Sequence, residues 1–200
     1  GSITDDGTAD LTVTLNADFA DTGGAGITLD DTMNFGSLTF NSTGTVTIAE
    51  DSATILSGVS TANVLDLDST GTITEDGTSN LMVTLNGDFA GTDITLDDTL
   101  NFGSLTFTSG GTVTIAEDSA TILSGVSTAN VLDLDSTGSI TDDGTADLTV
   151  TLNADFADTG GAGITLDDTM NFGSLTFNST GTVTIAEDSA TILSGVSTAN

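Results

Sequence analysis

The sequence predicts an all-β protein that folds as a parallel β-solenoid (β-helix), with about 23 residues per coil and three coils in each repeat. Three observations support this fold class. The chain repeats itself at two levels, its apolar residues alternate with polar ones in short runs, and glycine-containing turns separate these runs. No stretch of the chain has the period of about 3.6 residues that indicates a helix.

The longer repeat divides the chain into three parts. Residues 1–63 and 138–200 are identical, and a near copy lies between them, which gives repeats at 1–70, 71–137 and 138–200. The third repeat stops where the first one continues, and the chain begins with Gly1 in place of Met. We therefore expect these residues to be a window of a longer array.

A shorter repeat lies inside each long one. A start of the form Gly-x-Ile/Val-Thr, or one closely related to it, occurs at Gly1, Gly26 and Gly44. In the first repeat these starts mark sub-units of 25, 18 and 27 residues, and we expect each sub-unit to form one coil. The first repeat is three residues longer than the second, and the whole difference falls between Asn16 and Ile27. This difference predicts a loop in this segment.

Alternation of apolar and polar residues predicts the strands. It is clearest in Leu11–Leu15, Ser37–Phe40 and Val46–Ile48. Stacking of such strands from coil to coil would align the inward residues into ladders. In the first repeat the predicted ladder residues are Val13, Leu15, Phe19, Ile27, Leu29, Phe35, Leu38, Phe40, Val46, Ile48, Ile55, Leu56, Leu65 and Leu67.

Differences between the repeats predict whether the side chains at two positions point inward or outward. Met33 is replaced by Leu100 in the second repeat. Because such volume-conserving exchanges are tolerated in a core, both residues should point inward. Thr12 is replaced by Met82, which changes the polarity of the position, so this position should point outward.

The alternative fold is a string of small antiparallel β-sandwich modules, one module per long repeat. About seven strands in 67 residues would leave little chain for loops, and no Trp or Cys marks a sandwich core. A sandwich also gives no reason for the shorter repeat inside the longer one. The pattern therefore favours the solenoid.

The composition excludes several functions. Lys, Arg, His, Cys, Trp and Tyr are absent, whereas Asp and Glu together number 30, for a formal net charge of −30. The chain therefore has no ordinary general base or thiol nucleophile, and it lacks the usual ligands of zinc, haem and iron–sulfur clusters. It has no cation for phosphate, which excludes nucleic acid, and no apolar run long enough for direct membrane insertion. We expect no enzyme and no required cofactor.

The acidic residues cluster beside Gly, Ser and Thr at the expected strand ends. They can cap turns and block edge-to-edge pairing, or serve as oxygen ligands for Ca²⁺, and the sequence leaves both interpretations open. The candidate Ca²⁺ ligands are Asp5, Asp6, Asp30, Asp31, Glu50, Asp51, Asp66, Asp68, Asp97, Asp98, Glu117, Asp118, Asp133 and Asp135.

Charge density indicates that cations accompany the chain. Three coils would rise about 14 Å, so the 11 acidic residues of the first repeat would give one charge per ~1.3 Å, against one per ~1.7 Å on duplex DNA. Because the chain has no cationic side chain, ions from solution must neutralise this charge. We expect Ca²⁺ as a diffuse or bridging counterion, because neither an EF-hand spacing nor a Gly-Gly-x-Gly-x-Asp motif occurs.

One sequence pattern resembles that of a known group of proteins. Gly44-Thr45-Val46-Thr47-Ile48, followed by Thr54-Ile55-Leu56-Ser57-Gly58-Val59-Ser60-Thr61-Ala62-Asn63-Val64-Leu65-Asp66-Leu67, is similar to the β-strand repeats of giant bacterial surface proteins. These include filamentous-haemagglutinin-like adhesins and autotransporter passengers. The resemblance implies a secreted, right-handed β-helix with an adhesive or structural role.

The expected function is structural. We expect an extracellular acidic filament, sheath or stalk on a prokaryotic cell, which associates with itself end to end or laterally and binds divalent cations. The alternative is the shaft of a large surface adhesin whose binding tip lies outside this window.

Overall fold

A computed structural model describes residues 1–200 as a solenoid of parallel strands. It contains 21 strands in one sheet and no helix, hence none long and apolar enough to cross a membrane. The first repeat supplies β1 (Ile3–Thr4), β2 (Asp10–Asp21), β3 (Ile27–Leu29), β4 (Thr32–Ser42), β5 (Thr45–Glu50), β6 (Thr54–Leu56), β7 (Val59–Ala62) and β8 (Val64–Ser69). The second supplies β9 (Ile73–Glu75), β10 (Asn80–Gly91), β11 (Ile94–Leu96), β12 (Thr99–Ser109), β13 (Thr112–Glu117), β14 (Thr121–Leu123), β15 (Val126–Ala129) and β16 (Val131–Ser136). The third supplies β17 (Ile140–Asp142), β18 (Asp147–Asp158), β19 (Ile164–Leu166), β20 (Thr169–Ser179) and β21 (Val183–Ile185).

The strand pairing confirms the predicted solenoid. Strands pair in parallel, each residue with one about 21 residues further along the chain. A β-sandwich would instead place antiparallel neighbours side by side. The right-handed winding that the resemblance implies stays a prediction.

Ten straight segments make up each complete repeat. In the second repeat they come from the eight strands β9–β16, because β10 and β12 each bend at a corner. The two halves of β10 pair with different strands, β7 and β8. Most segments pair with the third segment after them, as β9 does with β11 and β11 with β13. The first halves of β4 and β12 contact the next coil through single backbone hydrogen bonds, from the Asp51 and Asp118 N–H groups to the carbonyl oxygens of Met33 and Leu100. The solenoid therefore has three faces, and three segments complete one turn.

Because ten segments are not a whole number of turns, each repeat makes three and one-third turns. Ile3, Val46 and Leu65 consequently lie in one column of stacked residues. Ile73, the counterpart of Ile3 in the second repeat, stacks on Thr54 in a neighbouring column. The predicted sub-unit starts do stack, but the 27-residue sub-unit contains a full coil and one extra segment. This extra segment explains why a turn takes about 21 residues instead of the predicted 23.

A continuous apolar core runs along the axis and contains 40 buried residues. Met33 and Leu100 are fully buried, whereas Thr12 is exposed and Met82 is 51% exposed, which confirms both orientations predicted from the sequence differences. Phenylalanine rings of neighbouring faces contact each other within the core, with centroids 5.5–5.7 Å apart in the three repeats.

Two of the predicted ladder residues point outward. Leu15 is 79% exposed, because Thr14, Leu15 and Asn16 form the corner at which β2 bends, and all three face solvent. The neighbouring coil passes this corner at Gly36, where a Cβ atom would lie 2.5 Å from the Thr14 carbonyl oxygen. Glycine is therefore required at this close approach of two backbones.

Ile55 is 37% exposed for a different reason. The short strand β6 turns Thr54 and Leu56 inward, so the residue between them must face outward. Thr54 points inward because its hydroxyl donates to the buried Glu50 carboxylate, with Oγ1 and Oε2 2.7 Å apart.

The loop that differs in length between repeats is shorter than predicted. Strand β2 continues to Asp21, so the loop comprises only residues 22–26, and its counterpart in the second repeat comprises residues 92–93. The flanking strands keep their pairing in both repeats. This corner can therefore lose three residues without changing the core.

Candidate cation-binding surface

Acidic side chains gather at the corner where β1 and β3 end. Asp5 follows β1, and Asp30 and Asp31 follow β3 on the adjacent coil. Asp5 Oδ2 accepts hydrogen bonds from the backbone N–H groups of Asp30 and Asp31, at 2.6 and 3.0 Å. Carboxylate oxygens of the three residues lie within 4.8 Å of one another. Parallel pairing of β1 with β3 thus brings together three of the predicted ligands.

The same corner recurs in the other repeats. In the third repeat, Asp142, Asp167 and Asp168 form an equivalent group within 4.8 Å. In the second repeat Glu75 replaces the first aspartate, and its Oε2 accepts from the backbone N–H groups of Asp97 and Asp98, at 2.7 and 2.8 Å.

Further corner carboxylates bind the backbone of a neighbouring coil. Asp31 Oδ2 accepts from the Ala9 N–H at 2.9 Å, and Asp51 Oδ2 accepts from the Met33 N–H at 3.1 Å. Asp118 does the same for Leu100. Each of these aspartates satisfies a donor that the bend would otherwise leave without a partner, as in other polar turns.

Glu50 and Glu117 are buried, in contrast to the other predicted ligands. Glu117 Oε1 accepts from the Phe102 N–H at 2.9 Å, and its Oε2 accepts from the Thr121 hydroxyl at 2.7 Å. Burial raises the pKa of Glu117, while these hydrogen bonds act to lower it. Glu50 has the equivalent contacts with Phe35 and with Thr54. Both glutamates therefore bridge two coils through hydrogen bonds.

A second acidic group lies on the face where one repeat meets the next. Asp66 on β8 is in register with Asp88 on β10, so two like charges stack across parallel strands about 4.8 Å apart. Burial raises the pKa of Asp66, and the charge of Asp68 raises it further. Burial also raises the pKa of Asp88, and the charges of Asp66 and Asp68 add to this effect.

The next junction between repeats has the same arrangement. Asp133 is in register with Asp155. Burial raises the pKa values of Asp135 and Asp155, and Asp133 raises both further by its charge. Like charges directly opposite each other destabilise a sheet. The chain has no cationic side chain to offset this repulsion.

Most of the predicted Ca²⁺ ligands line two open grooves. The first is lined by acidic residues Asp30, Asp31, Glu50, Asp51 and Asp68. The second, one repeat further on, is lined by acidic residues Asp97, Asp98, Glu117, Asp118 and Asp135. Carboxylate and hydroxyl oxygens are the ligands that hard cations such as Ca²⁺ prefer. Asp6 lies outside both grooves, and its Oδ1 accepts from the backbone N–H and the hydroxyl of Thr8.

Sequence reasoning missed two buried aspartates, Asp21 and Asp158. Asp21 accepts from the backbone N–H groups of Gly26 and Gly23, at 2.7 and 2.9 Å, and from the Ser42 hydroxyl. These bonds, that of Gly26 above all, hold the pKa of Asp21 below its usual value. The second repeat has Gly91 at this position together with the shorter loop. This paired change was the signal that could have identified the role of the aspartate.

Comparison with models of protein families gives a match. A family described as repeats of unknown function (DUF5649) matches residues 110–176, a window of one repeat length. No curated protein and no solved structure matches the chain. The match is consistent with a repetitive β-strand protein.

Proposed function

We propose that the chain is part of an extracellular structural rod that forms a filament, sheath or stalk on a prokaryotic cell. The observation that carries this proposal is the parallel pairing from coil to coil that joins all 21 strands, from β1 to β21, into one sheet. Each added repeat lengthens such a rod by the same amount and leaves the core continuous. At three and one-third turns per repeat, that amount is about 16 Å.

The acidic surface fits a rod that contacts water and ions along its length. A rise of about 16 Å gives one charge per ~1.5 Å for the 11 acidic residues of the first repeat, still closer than on duplex DNA. The clusters recur in every repeat instead of forming one unique constellation. This recurrence supports a structural role over catalysis. The cell-surface location rests on the resemblance to bacterial surface proteins with β-strand repeats.

The adhesin shaft is the second candidate, because a shaft needs the same additive rod and the resemblance includes adhesins. The two functions differ in whether rods assemble with copies of themselves. A filament protein should associate laterally or end to end with copies of itself, with divalent cations between acidic grooves. An adhesin shaft should remain a single rod at all concentrations.

Arrays of three, six and nine repeats test the proposal by electron microscopy and analytical ultracentrifugation. We expect unbranched rods that lengthen in proportion to repeat number, and concentration-dependent assembly if the rod is a filament. Antibodies against the repeat should label the surface of intact cells of the source organism. Labelling only after the cells are permeabilised would contradict the extracellular role, and globular particles would contradict the rod.

A further inference from the structure

Large apolar side chains are exposed at one kind of corner in every repeat. In the second repeat, Leu85 lies at the bend of β10 and Val126 at the start of β15, and both are more than half exposed. Gly103 lies on the coil between them, where the Leu85 carbonyl oxygen is too close to leave room for a Cβ atom. We call Leu85, Gly103 and Val126 the leucine patch. The other repeats have the same patch, formed by Leu15, Gly36 and Val59 in the first and by Leu152, Gly173 and Val196 in the third.

Hydrogen bonds between coils hold the leucine patch together as one surface. The Ser124 hydroxyl donates to Asn86 Oδ1 at 3.0 Å, although the two residues are 38 positions apart. On the intervening coil, the Thr106 hydroxyl donates to the Ser124 carbonyl oxygen, also at 3.0 Å. The leucine patch is therefore rimmed by neutral polar groups, in a chain that has 30 acidic residues. Exposed apolar surface with a polar rim is typical of a contact with another molecule.

The corners that stack along the rod at this position form one edge, on which charge is distributed unevenly. Contacts between coils place three corners without an acidic residue before Leu85, at residues 22–26, 43–44 and 63. After Val126 come three acidic corners, which contain Asp142, Asp143, Asp167, Asp168 and Asp188. The edge therefore carries three uncharged corners, the leucine patch and three acidic corners, in that order.

This order of charges fits a second copy of the chain that runs in the opposite direction. If two rods contact each other with a two-fold axis at Gly103, Leu85 of each rod faces Val126 of the other. The three acidic corners of each rod then face the three uncharged corners of the other rod. Two parallel rods in the same register would instead place acidic corners opposite acidic corners, where like charges repel. The leucine patch is thus complementary to itself only in the antiparallel arrangement, as an isologous contact requires.

We propose that the leucine patch binds the leucine patch of a second copy of this chain, side by side and antiparallel. The contact rests on the proposed filament and deepens it, because a shaft that stays single does not use this surface. Each repeat turns the rod by a further one-third of a turn, so the patch recurs on all three edges, at intervals of about 48 Å along each edge. A longer rod can therefore bind three neighbouring rods along its whole length.

Sedimentation velocity of the intact chain tests the contact, in ~0.15 M NaCl, where the Debye length is ~8 Å. We expect a monomer–dimer equilibrium. Leu85→Asp should raise the Kd of the dimer about tenfold or more, because an unpaired charge would have to lose water at the contact. Gly110→Asp is the matched control: it adds the same charge at the corner between β12 and β13, on another edge, where a Cβ atom has no neighbour within 4 Å. This control should leave the Kd unchanged.

A disulfide cross-link tests the antiparallel arrangement, since the chain has no cysteine of its own. One preparation carries Leu85→Cys and a second carries Val126→Cys, and the two are oxidised alone and as an equimolar mixture. The mixture should give dimers in which a disulfide joins position 85 of one chain to position 126 of the other, identified by mass spectrometry. Parallel rods would instead give dimers from each preparation alone, joined at 85–85 or at 126–126.

Arrays of six and nine repeats extend the test, because each edge gains one leucine patch for every three repeats. Several weak contacts along one edge should tighten the association by on the order of 10²-fold or more between three and nine repeats. Equal weakening by Leu85→Asp and Gly110→Asp, or cross-links at 85–85, would overturn the proposed contact. Single rods at every length and concentration would also overturn it but would leave the rod itself standing, whereas globular particles in electron micrographs would refute the rod.

Discussion

Replacing one leucine inside the solenoid and one at its corner should have very different effects on stability. Leu105 is fully buried and pairs with Leu123 on the next coil, whereas Leu85 is 53% exposed at the bend of β10. Truncating a buried leucine to alanine lowers the free energy of unfolding by about 2–5 kcal/mol, because apolar contact is lost and a cavity remains. An exposed leucine changes stability by about 0.5 kcal/mol or less.

The assay is thermal unfolding followed by circular dichroism, with both variants in the same buffer as the parent chain. For Leu105→Ala a loss of about 3 kcal/mol should lower the Tm by roughly 6–12 °C in a chain of this size. For Leu85→Ala the Tm should change by no more than about 2 °C. An equal loss for the two variants would refute the bend in β10 and, with it, the division of this strand between two faces.

Three further outcomes are expected. Because the pKa values of Asp66 and Asp88 are raised in the folded state, their destabilising effect at neutral pH should fade as the pH falls through the raised values. Because the pKa of Asp158 is lowered, its stabilisation should be lost in stronger acid, so the Tm should be higher in mild acid than at pH 7 and should fall again in strong acid. Added NaCl should raise the Tm as the Debye length falls from ~30 Å at 0.01 M to ~8 Å at 0.15 M. CaCl₂ at the same ionic strength should raise the Tm more. Equal Tm values in the two salts would rule out bridging by Ca²⁺. Asp158→Ala should destabilise the chain by about 1–3 kcal/mol for each buried donor left unpaired. It should also speed hydrogen exchange at the backbone amides of Gly161 and Gly163, which donate to Asp158. Unchanged exchange at these amides would contradict the role of Asp158 in this loop.

The sequence allowed the solenoid and most of its core to be predicted, because stacked coils require inward residues at regular positions and repeats display them several times. Met33 and Thr12 show this, since their replacements in the second repeat indicated which way each side chain faces. Leu15 and Ile55 were mispredicted because local alternation ignores corners and the side-chain hydrogen bonds made across them. The bend of β2 turns Leu15 outward, and the inward hydroxyl of Thr54 turns Ile55 outward.

The number of turns per repeat could not be read from the spacing of sub-unit starts. A start motif marks a segment, and a segment can begin on any of the three faces. Ile73 carries the same motif as Ile3 but lies in the next column. Only the pairing between coils distinguishes one coil from a coil with an extra segment.

The acidic surface was predicted as a set of residues but not as an arrangement. The two grooves and the stacked pair Asp66–Asp88 arise from residues about 20 positions apart, and their proximity depends on the coil register. Buried Glu50 and Asp21 resemble the exposed acids in sequence. Their roles follow from backbone N–H groups that only the folded chain brings within reach.

Each repeat advances the solenoid by three and one-third turns. Cryo-electron microscopy of a longer array, with helical reconstruction, tests it most directly. We predict strands about 4.8 Å apart along the axis, and a screw of one-third of a turn with a rise of about 16 Å for each repeat. A rise of about 14 Å without rotation, which three whole coils per repeat would give, would contradict the account.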